Sequence, residues 1–408
     1  MTQTLSDLCY FADGRVAVAD LDLDSYISTE NMLPNKEGIA RSAGLPTVNQ
    51  TQAYQAEDVL VSNIRPYFRK IWFADRDGGC SNDVLVLRAK ENCNPNFLYY
   101  LLSDNNFFDY ATATGKGTKM PRGDKGAIMR YAIPDVPFDT QIGIADTLSA
   151  LDARIAENKK INHHLEQMAQ AIFKLWFVDF EPFADGEFID SELGEIPSGW
   201  SVQTIEYLAE KVAMGPFGSN IKVETFVESG VPIISGNHLR GLYLDELGYN
   251  FITEEHARRL SNSLVRAGDI IFTHAGNIGQ VALITDDCDY TYYVISQRQF
   301  YLRCDKTKAL PEYINYFFHS REGQGKLLAN ASQTGVPSIA RPSSHLKGIV
   351  VILPPIEVQL KWFEMVQAML QTLNSNNKES KRLASIRDSL LPRLMSGELS
   401  VADLGDAK

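Results

Sequence analysis

Two sets of basic and amide side chains in this 408-residue chain lie in loops rich in glycine and proline. The first set is Asn63, Arg65 and Tyr67, followed by Lys116, Lys119, Arg122 and Lys125 in the stretch ATGKGTKMPRGDKG. The second is His274 and Asn277, then Gln333, Ser338 and Arg341, with Ser219, Asn220, Lys222, Asn237 and Arg240 from an upstream block. Such side chains read nucleic acid. A guanidinium donates two parallel hydrogen bonds to guanine, an Asn or Gln amide pairs with adenine, and lysines with backbone amides hold phosphates. Any one of them alone fits a solvated turn. As two sets in matching places they point to two DNA-reading surfaces, and because the sets differ, the surfaces should read different bases.

Catalytic patterns are missing. Asn94-Pro95-Asn96-Phe97 approaches the N-P-P-F motif of amino-methyltransferases but has Asn96 at the second proline, and Asn94-Pro95 reads better as a helix start. Gly115-Lys116-Gly117-Thr118 and Gly323-Gln324-Gly325-Lys326-Leu327 lack the spacing or the hydroxyl of a phosphate-binding loop. There is no H-E-x-x-H and no G-x-S-x-G. The cysteines (Cys9, Cys80, Cys93, Cys288, Cys304) are odd in number and scattered, which argues against a disulfide framework or zinc site. His163 and His164 are adjacent in a helix and point apart, so no shared metal is expected. The pattern favours a recognition protein that binds no metal or cofactor itself.

The elements that position the two sets are themselves repeated. Leu148, Leu151, Ile155, Asn158, Asn162, Leu165, Ala169, Ile172 and Trp176 recur at spacings of three and four, the seam of a long coiled-coil helix. Val366, Met369, Leu373, Asn376, Ser380, Leu383, Arg387, Leu390 and Leu394 repeat that ladder, polar rungs included. Each ladder follows a similar block. EDVLVSNIRPYFRKIWFA and DVLVLRA read as strands, as do GDIIFTHAGNIGQVALI and SQRQFYLRC; Asn94-Pro95 and Leu310-Pro311 each open a helix. A polar loop and a closing strand, AIMRYAIPDVP or IVVILPP, complete each block. The segment from Met214 to Gly241 is matched only loosely, by YISTENMLPNKEGI.

The expected fold is therefore α+β: two mixed, mostly β globular domains joined by two long helices that form an antiparallel coiled coil, with an internal pseudo-two-fold repeat. The boundaries fall at residues 1–137, 138–182, 183–355 and 356–408. Antiparallel pairing would bring Asn158 and Asn162 to Asn376 and Ser380, fixing register; otherwise these rungs face solvent. Pro392 should end or kink the second helix a turn early. The aromatic end at Phe173, Trp176 and Phe177 either docks a partner, together with Lys159, Lys160 and Glu166, or packs into the following domain.

With 44% apolar and 22% charged residues the chain has the composition of folded soluble domains. A net charge of −12 argues against indiscriminate coating of nucleic acid and leaves recognition to local patches. The longest apolar stretches, such as Gly348 to Pro355, are far short of a membrane span, and Met1 to Tyr10 lacks the features of a secretion signal, so a cytoplasmic protein is expected.

GDIIFTHAGNIGQVALI, TGVPSIARPSSHLKGIVVILPPIEVQ, EIPSGW and the two helices closely resemble the specificity (S) subunit of type I restriction-modification systems. ISTENMLPNKEGI with EDVLVSNIRPYFRKIWFA resembles a target-recognition domain of the same family. The resemblance implies a non-catalytic subunit in which each globular domain reads one half of a bipartite, asymmetric site on double-stranded DNA. It also implies two adenine methyltransferase (M) subunits and motor-endonuclease (R) subunits as partners, with S-adenosylmethionine, ATP and Mg²⁺ bound by them. The rival readings are a two-headed adaptor for protein or glycan ligands and a stand-alone methyltransferase or nuclease with a divergent site.

Overall fold

The computed structural model describes residues 3–117, 119–218, 220–246, 248–332 and 335–401. The chain forms two compact units, Met1–Lys160 with Ser375–Lys408, and Ile161–Asn374.

In the first unit an antiparallel sheet runs Cys9–Phe11, Val84–Ala89, Val59–Ser62, Ile71–Phe73. Its residues alternate between two cores, as a period of two requires when both faces are covered. Val59, Val61, Leu85 and Leu87 pack on the helices Pro95–Ser103 and Asn105–Ala113. Leu60, Trp72, Val84 and Val86 face a second sheet of Arg15–Ala17, Gln50–Tyr54, Gly78–Cys80 and Tyr26–Ile27.

The second unit repeats the plan. Ala209–Met214, Gln299–Cys304, Asp269–Thr273 and Val281–Leu283 form its first sheet, in the same order. Ile270, Phe272, Phe300 and Leu302 face the helix Pro311–His319, while Ile271, Ala282 and Tyr301 face the second sheet. In both second sheets a central strand has one parallel neighbour, Gly78–Cys80 with Tyr26–Ile27 and Tyr293–Ile295 with Val231–Ile234. The fourth strand differs: Arg15–Ala17 adds beside the antiparallel neighbour, whereas Asn250–Ile252 adds beside the parallel one. The loosely matched segments do correspond here. Asn31 Oδ1 accepts the Ser28 amide at 2.6 Å, and His238 Nδ1 accepts the Ser235 amide at 2.9 Å.

Two buried polar devices are duplicated. Arg88 donates through Nε and Nη2 to both oxygens of Asp58 at 2.7 Å each, and Arg303 does the same to Asp269 at 2.7 Å. Gln141 accepts the amide of Asn94 and donates to Asn92 and Val136 carbonyls; Gln359 accepts the amide of Leu310 and donates to Lys308 and Pro354 carbonyls. Each glutamine clips the start of a long helix to the loop before the domain helix.

The long helices span Phe138–Phe177 and Ile356–Met395. Within the first unit, Leu148, Ile155, Asn158 and Leu394 are buried, and Leu151, Asn376, Ser380, Leu383 and Leu390 half-buried. The pairing is antiparallel: Arg387 donates to Asp152 at 2.5 Å, and Asn158 Nδ2 donates to Glu379 at 2.7 Å and to Ser380 at 3.4 Å. Within the second unit, Asn162, Val366 and Leu373 are buried, with Leu165, Ile172, Trp176 and Met369 half-buried. Asn162 Nδ2 donates to the Leu373 carbonyl at 3.2 Å. The polar rungs Asn158 and Asn162 therefore do not face solvent.

Two expectations are corrected and one open alternative is settled. Helix Ile356–Met395 continues through Pro392, because Leu391, Leu394 and Met395 bury in the first unit's core and outweigh one missing hydrogen bond in the last turn. AIMRYAIPDVP is not a strand from its start: Asp124 accepts the Ala127 amide at 2.9 Å and caps the helix Lys125–Met129, leaving only an isolated Ala132–Thr4 bridge. Its counterpart in the second unit, Pro342–Gly348, is likewise helical. Phe173 and Phe177 are buried among Trp200, Tyr313 and Trp362, and Trp176 lies edge-on to Phe183, so this aromatic end packs into the second unit rather than offering a docking face.

Asp269→Ala, which leaves the Arg303 guanidinium without its carboxylate in a sheet covered on both faces, is expected to cost about 3–5 kcal/mol in urea unfolding. Asp58→Ala should cost a similar amount.

Candidate nucleic-acid interface

In the first unit the strand Val59–Ser62 ends in a turn that holds Arg65 and Arg69 in the left-handed region (φ 49° and 53°) around the 3₁₀ turn Pro66–Phe68. Far along the chain, Lys116 and Arg122 exchange backbone hydrogen bonds of 2.8 and 2.9 Å and close a hairpin. That hairpin docks on the turn through main-chain hydrogen bonds. The Arg65 amide donates to Pro121 O at 2.8 Å and the Gly123 amide to Asn63 O at 3.1 Å.

The second unit builds the same scaffold from other residues. Ala331–Ser332 pairs with Ser338–Ile339; the Gly276 amide donates to Pro337 O at 2.9 Å and the Ile339 amide to His274 O at 2.8 Å. Gly276 (φ 87°) takes the left-handed place that Arg65 holds at greater steric cost. Thus the strand turn and the post-helix loop, separate in sequence, form one surface in each unit.

On this frame the first unit ties Asn63 and Arg65 to the hairpin of Lys116 and Arg122, with Tyr67 on the turn and Lys125 just beyond the hairpin. Lys116 reaches Asp124 at 2.5 Å and Arg122 reaches Asp83 at 2.9 Å. Lys125 stands 5.4 Å from the Phe11 ring, and Lys119 is exposed with no ion pair among the described residues. Tyr67 and Phe68 are exposed with their rings 4.8 Å apart. Asn63 Oδ1 and Arg65 Nε are buried without a hydrogen-bond partner among the described residues, a cost of about 1–3 kcal/mol per group that a ligand could relieve. Asp83 also lines a cleft of about 460 Å³ with Ser28, Asn31 and Arg41. Nothing in the spacing of the sequence links Asp83 to Arg122, so this partner was not legible there.

In the second unit the candidates divide. His274, Asn220, Phe217 and Gln297 line a cleft of about 590 Å³. His274 Nε2 lies 3.2 Å from Gln297 O, and burial lowers its pKa, favouring the neutral ring. Asn220 O lies 2.8 Å from His256 Nε2. Asn277 and Arg341 are exposed beside the hairpin that carries Ser338, and Arg341 adopts φ 47° ahead of Pro342. Lys222, just ahead of the 3₁₀ turn Val223–Thr225, and Asn237, within the 3₁₀ turn Gly236–His238, are exposed, while Arg240 lines a separate cleft of about 430 Å³ with Gln280 and Gln324. Ser219 and Gln333 lie outside the described residues. Among the described residues no group of three or more His, Cys, Asp or Glu could hold a metal ion, and no helix is long and apolar enough to cross a membrane.

Comparison with known proteins gives a consistent picture. The family model described as type I restriction modification DNA specificity domain matches residues 2–167. The MjaIX specificity subunit of Methanocaldococcus jannaschii is 28% identical over 76% of this chain and 70% of its own length. The HindI specificity subunit of Haemophilus influenzae is 26% identical over 92% of this chain and 94% of its own. The crystal structure of the type I restriction-modification S subunit from M. genitalium superposes with a TM-score of 0.52 at 16% identity, covering 97% of this chain and 96% of that one, and so shares the fold.

Lys116 and the Ala127 amide hold the Asp124 carboxyl at about 2, below the usual carboxylate value. The stabilisation from this contact is therefore complete above about pH 4 and lost as pH falls through 2. Carboxyl-carbon NMR should show the Asp124 midpoint near the lower value, and Lys116→Ala should move it upward.

Proposed function

We infer that this chain, which belongs to the specificity subunits of type I restriction-modification systems, reads a bipartite DNA site with one half-site assigned to each unit. The chain is a non-catalytic subunit. The observation that carries the reading is the duplicated frame: one backbone scaffold, held by main-chain bonds, presents two unlike sets of side chains. Identical scaffolds would hold two stretches of DNA in the same way, and unlike side chains would select different bases.

In this proposal residues 1–137 and 183–355 are the target-recognition domains, and residues 138–182 and 356–408 the helices between them. Arg65, Lys119 and Arg122 contribute to one half-site, with Asn63, Tyr67, Lys116 and Lys125. Asn277, Ser338 and Arg341 contribute to the other, with Gln333, His274, Ser219, Asn220, Lys222, Asn237 and Arg240. A helix of this length spans roughly 60 Å at 1.5 Å per residue, so the helix pair sets a gap of about one DNA turn or more, near 34 Å or beyond, whose bases are skipped. Two M subunits dock on the helices, with exposed Lys159 and Lys160 among the candidates, and R subunits join them. S-adenosylmethionine, ATP and Mg²⁺ belong to those partners, which act on double-stranded DNA in the cytoplasm. Most phosphate binding also falls to the partners, in keeping with the net charge of −12.

Mapping adenine methylation in host DNA with and without this gene should reveal one two-part motif. Arg122→Ala or Lys119→Ala should relax or weaken one half of it only; loss at both halves would contradict the two-reader reading. The chain alone should bind DNA weakly and transfer no methyl group. Nanomolar, sequence-specific binding by the isolated chain would overturn the assignment of phosphate binding to the partners.

A further inference from the structure

Met120 and Val336 occupy one station in the two hairpins. Each directly precedes the proline whose carbonyl accepts the turn amide, Pro121 from Arg65 at 2.8 Å and Pro337 from Gly276 at 2.9 Å. Each is also exposed, Met120 at 51% and Val336 at 64%. A single exposed apolar side chain needs no explanation. Here the same station is apolar and solvent-facing in both units, although the polar side chains around it differ throughout: Lys116, Lys119 and Arg122 in one, Asn277, Ser338 and Arg341 in the other. The following proline fixes its own φ and restricts the backbone of the residue before it, so the main chain at this station is narrowed before any ligand binds.

Resting on the reading of these surfaces as DNA readers, we propose that Met120 and Val336 are specificity-determining residues, each packing on the 5-methyl group of a thymine in its own half-site. The chemistry follows from the groove edge. In the major groove the thymine methyl is the one apolar feature that a base pair presents, and apolar side chains contact it where polar ones gain nothing. Neither side chain has a hydrogen-bond donor, and the Met120 thioether is at most a weak acceptor, so neither can read another base by a strong hydrogen bond; Lys116, Lys119 and Arg122 lie in the same hairpin as Met120 and can hold flanking phosphates. The main-chain ties keep the hairpin tip at a fixed distance from the turn residues, so the apolar contact and the polar contacts are registered on the same few base pairs.

The test uses the full chain assembled with its methyltransferase subunits and duplexes carrying the mapped site, each thymine replaced singly by deoxyuridine, which removes only the methyl group. One replacement in each half-site should weaken binding about fourfold, the effect of one buried methyl group at about 0.8 kcal/mol. Val336→Ser should abolish that sensitivity in one half-site and leave the other intact; Met120→Ser should do the converse. Val336→Ile should retain it, and because both side chains are exposed, circular dichroism of the serine variants should match wild type. If wild type reads its site but no deoxyuridine replacement matters, or if Val336→Ser weakens thymine and deoxyuridine duplexes equally, the proposal is overturned while the reader assignment stands. If the complex shows no sequence-dependent binding, both fall.

Discussion

The central sheet of each unit is covered on both faces, by helices on one side and by a second sheet on the other. Polar side chains can enter such a sheet only in matched sets, since an unpaired buried charge costs several kcal/mol. The Asp58–Arg88 and Asp269–Arg303 pairs are those sets, each closed by two parallel hydrogen bonds. Other polar groups able to meet a ligand are pushed to the ends of the strands. That is why the turn after Val59–Ser62 and the turn after Asp269–Thr273 carry the candidate residues, and why the hairpins dock there.

The docking is made of amides and carbonyls, so it constrains the chain path without constraining side chains. Arg65 and Gly276 make the same bond to Pro121 and Pro337, though one is a bulky cation and the other has no side chain. The price is visible in the first unit, where Arg65 sits at φ 49° and its Nε is buried without a hydrogen-bond partner among the described residues. Strain at a loop over-determined by its surroundings is a common companion of binding sites. The helix pair relies on side chains: within their respective units Asn158 donates to the Glu379 carboxylate and Asn162 to the Leu373 carbonyl, contacts that depend on the asparagines.

Much of this was legible in the sequence because periodicity and duplication are long-range signals. The two seams, the strand pairs and the helix starts at Pro95 and Pro311 stand out at spacings that only helices and strands produce. What escaped notice depends on tertiary context. The strand expected at AIMRYAIPDVP yields to a helix because Asp124 offers a cap, and Pro392 is tolerated because its neighbours reach a core. For Phe173 and Phe177 the sequence leaves a docking face and a core position both open, and only the tertiary contacts decide for the core. Of the candidate interface, the residue types could be read, but not the hairpin-to-turn bonds that assemble them, nor the Asp83 partner of Arg122. Those contacts join segments with no shared pattern.

The position of the fourth strand in the second sheets bears on how such a chain can be reshuffled. Arg15–Ala17 precedes Tyr26–Ile27 in the chain, whereas Asn250–Ile252 follows Val231–Ile234. A crossover between the two halves of the gene that falls between Ala17 and Tyr26, matched just ahead of Val231, would give one product both fourth strands and the reciprocal product neither. One sheet would carry a surplus edge and the other would lose its cover. A crossover ahead of Arg15 leaves four strands in each product. Any exchange between the two halves that keeps both sheets whole must therefore avoid that interval, a restriction drawn by sheet topology and not by the loops that carry the candidate residues.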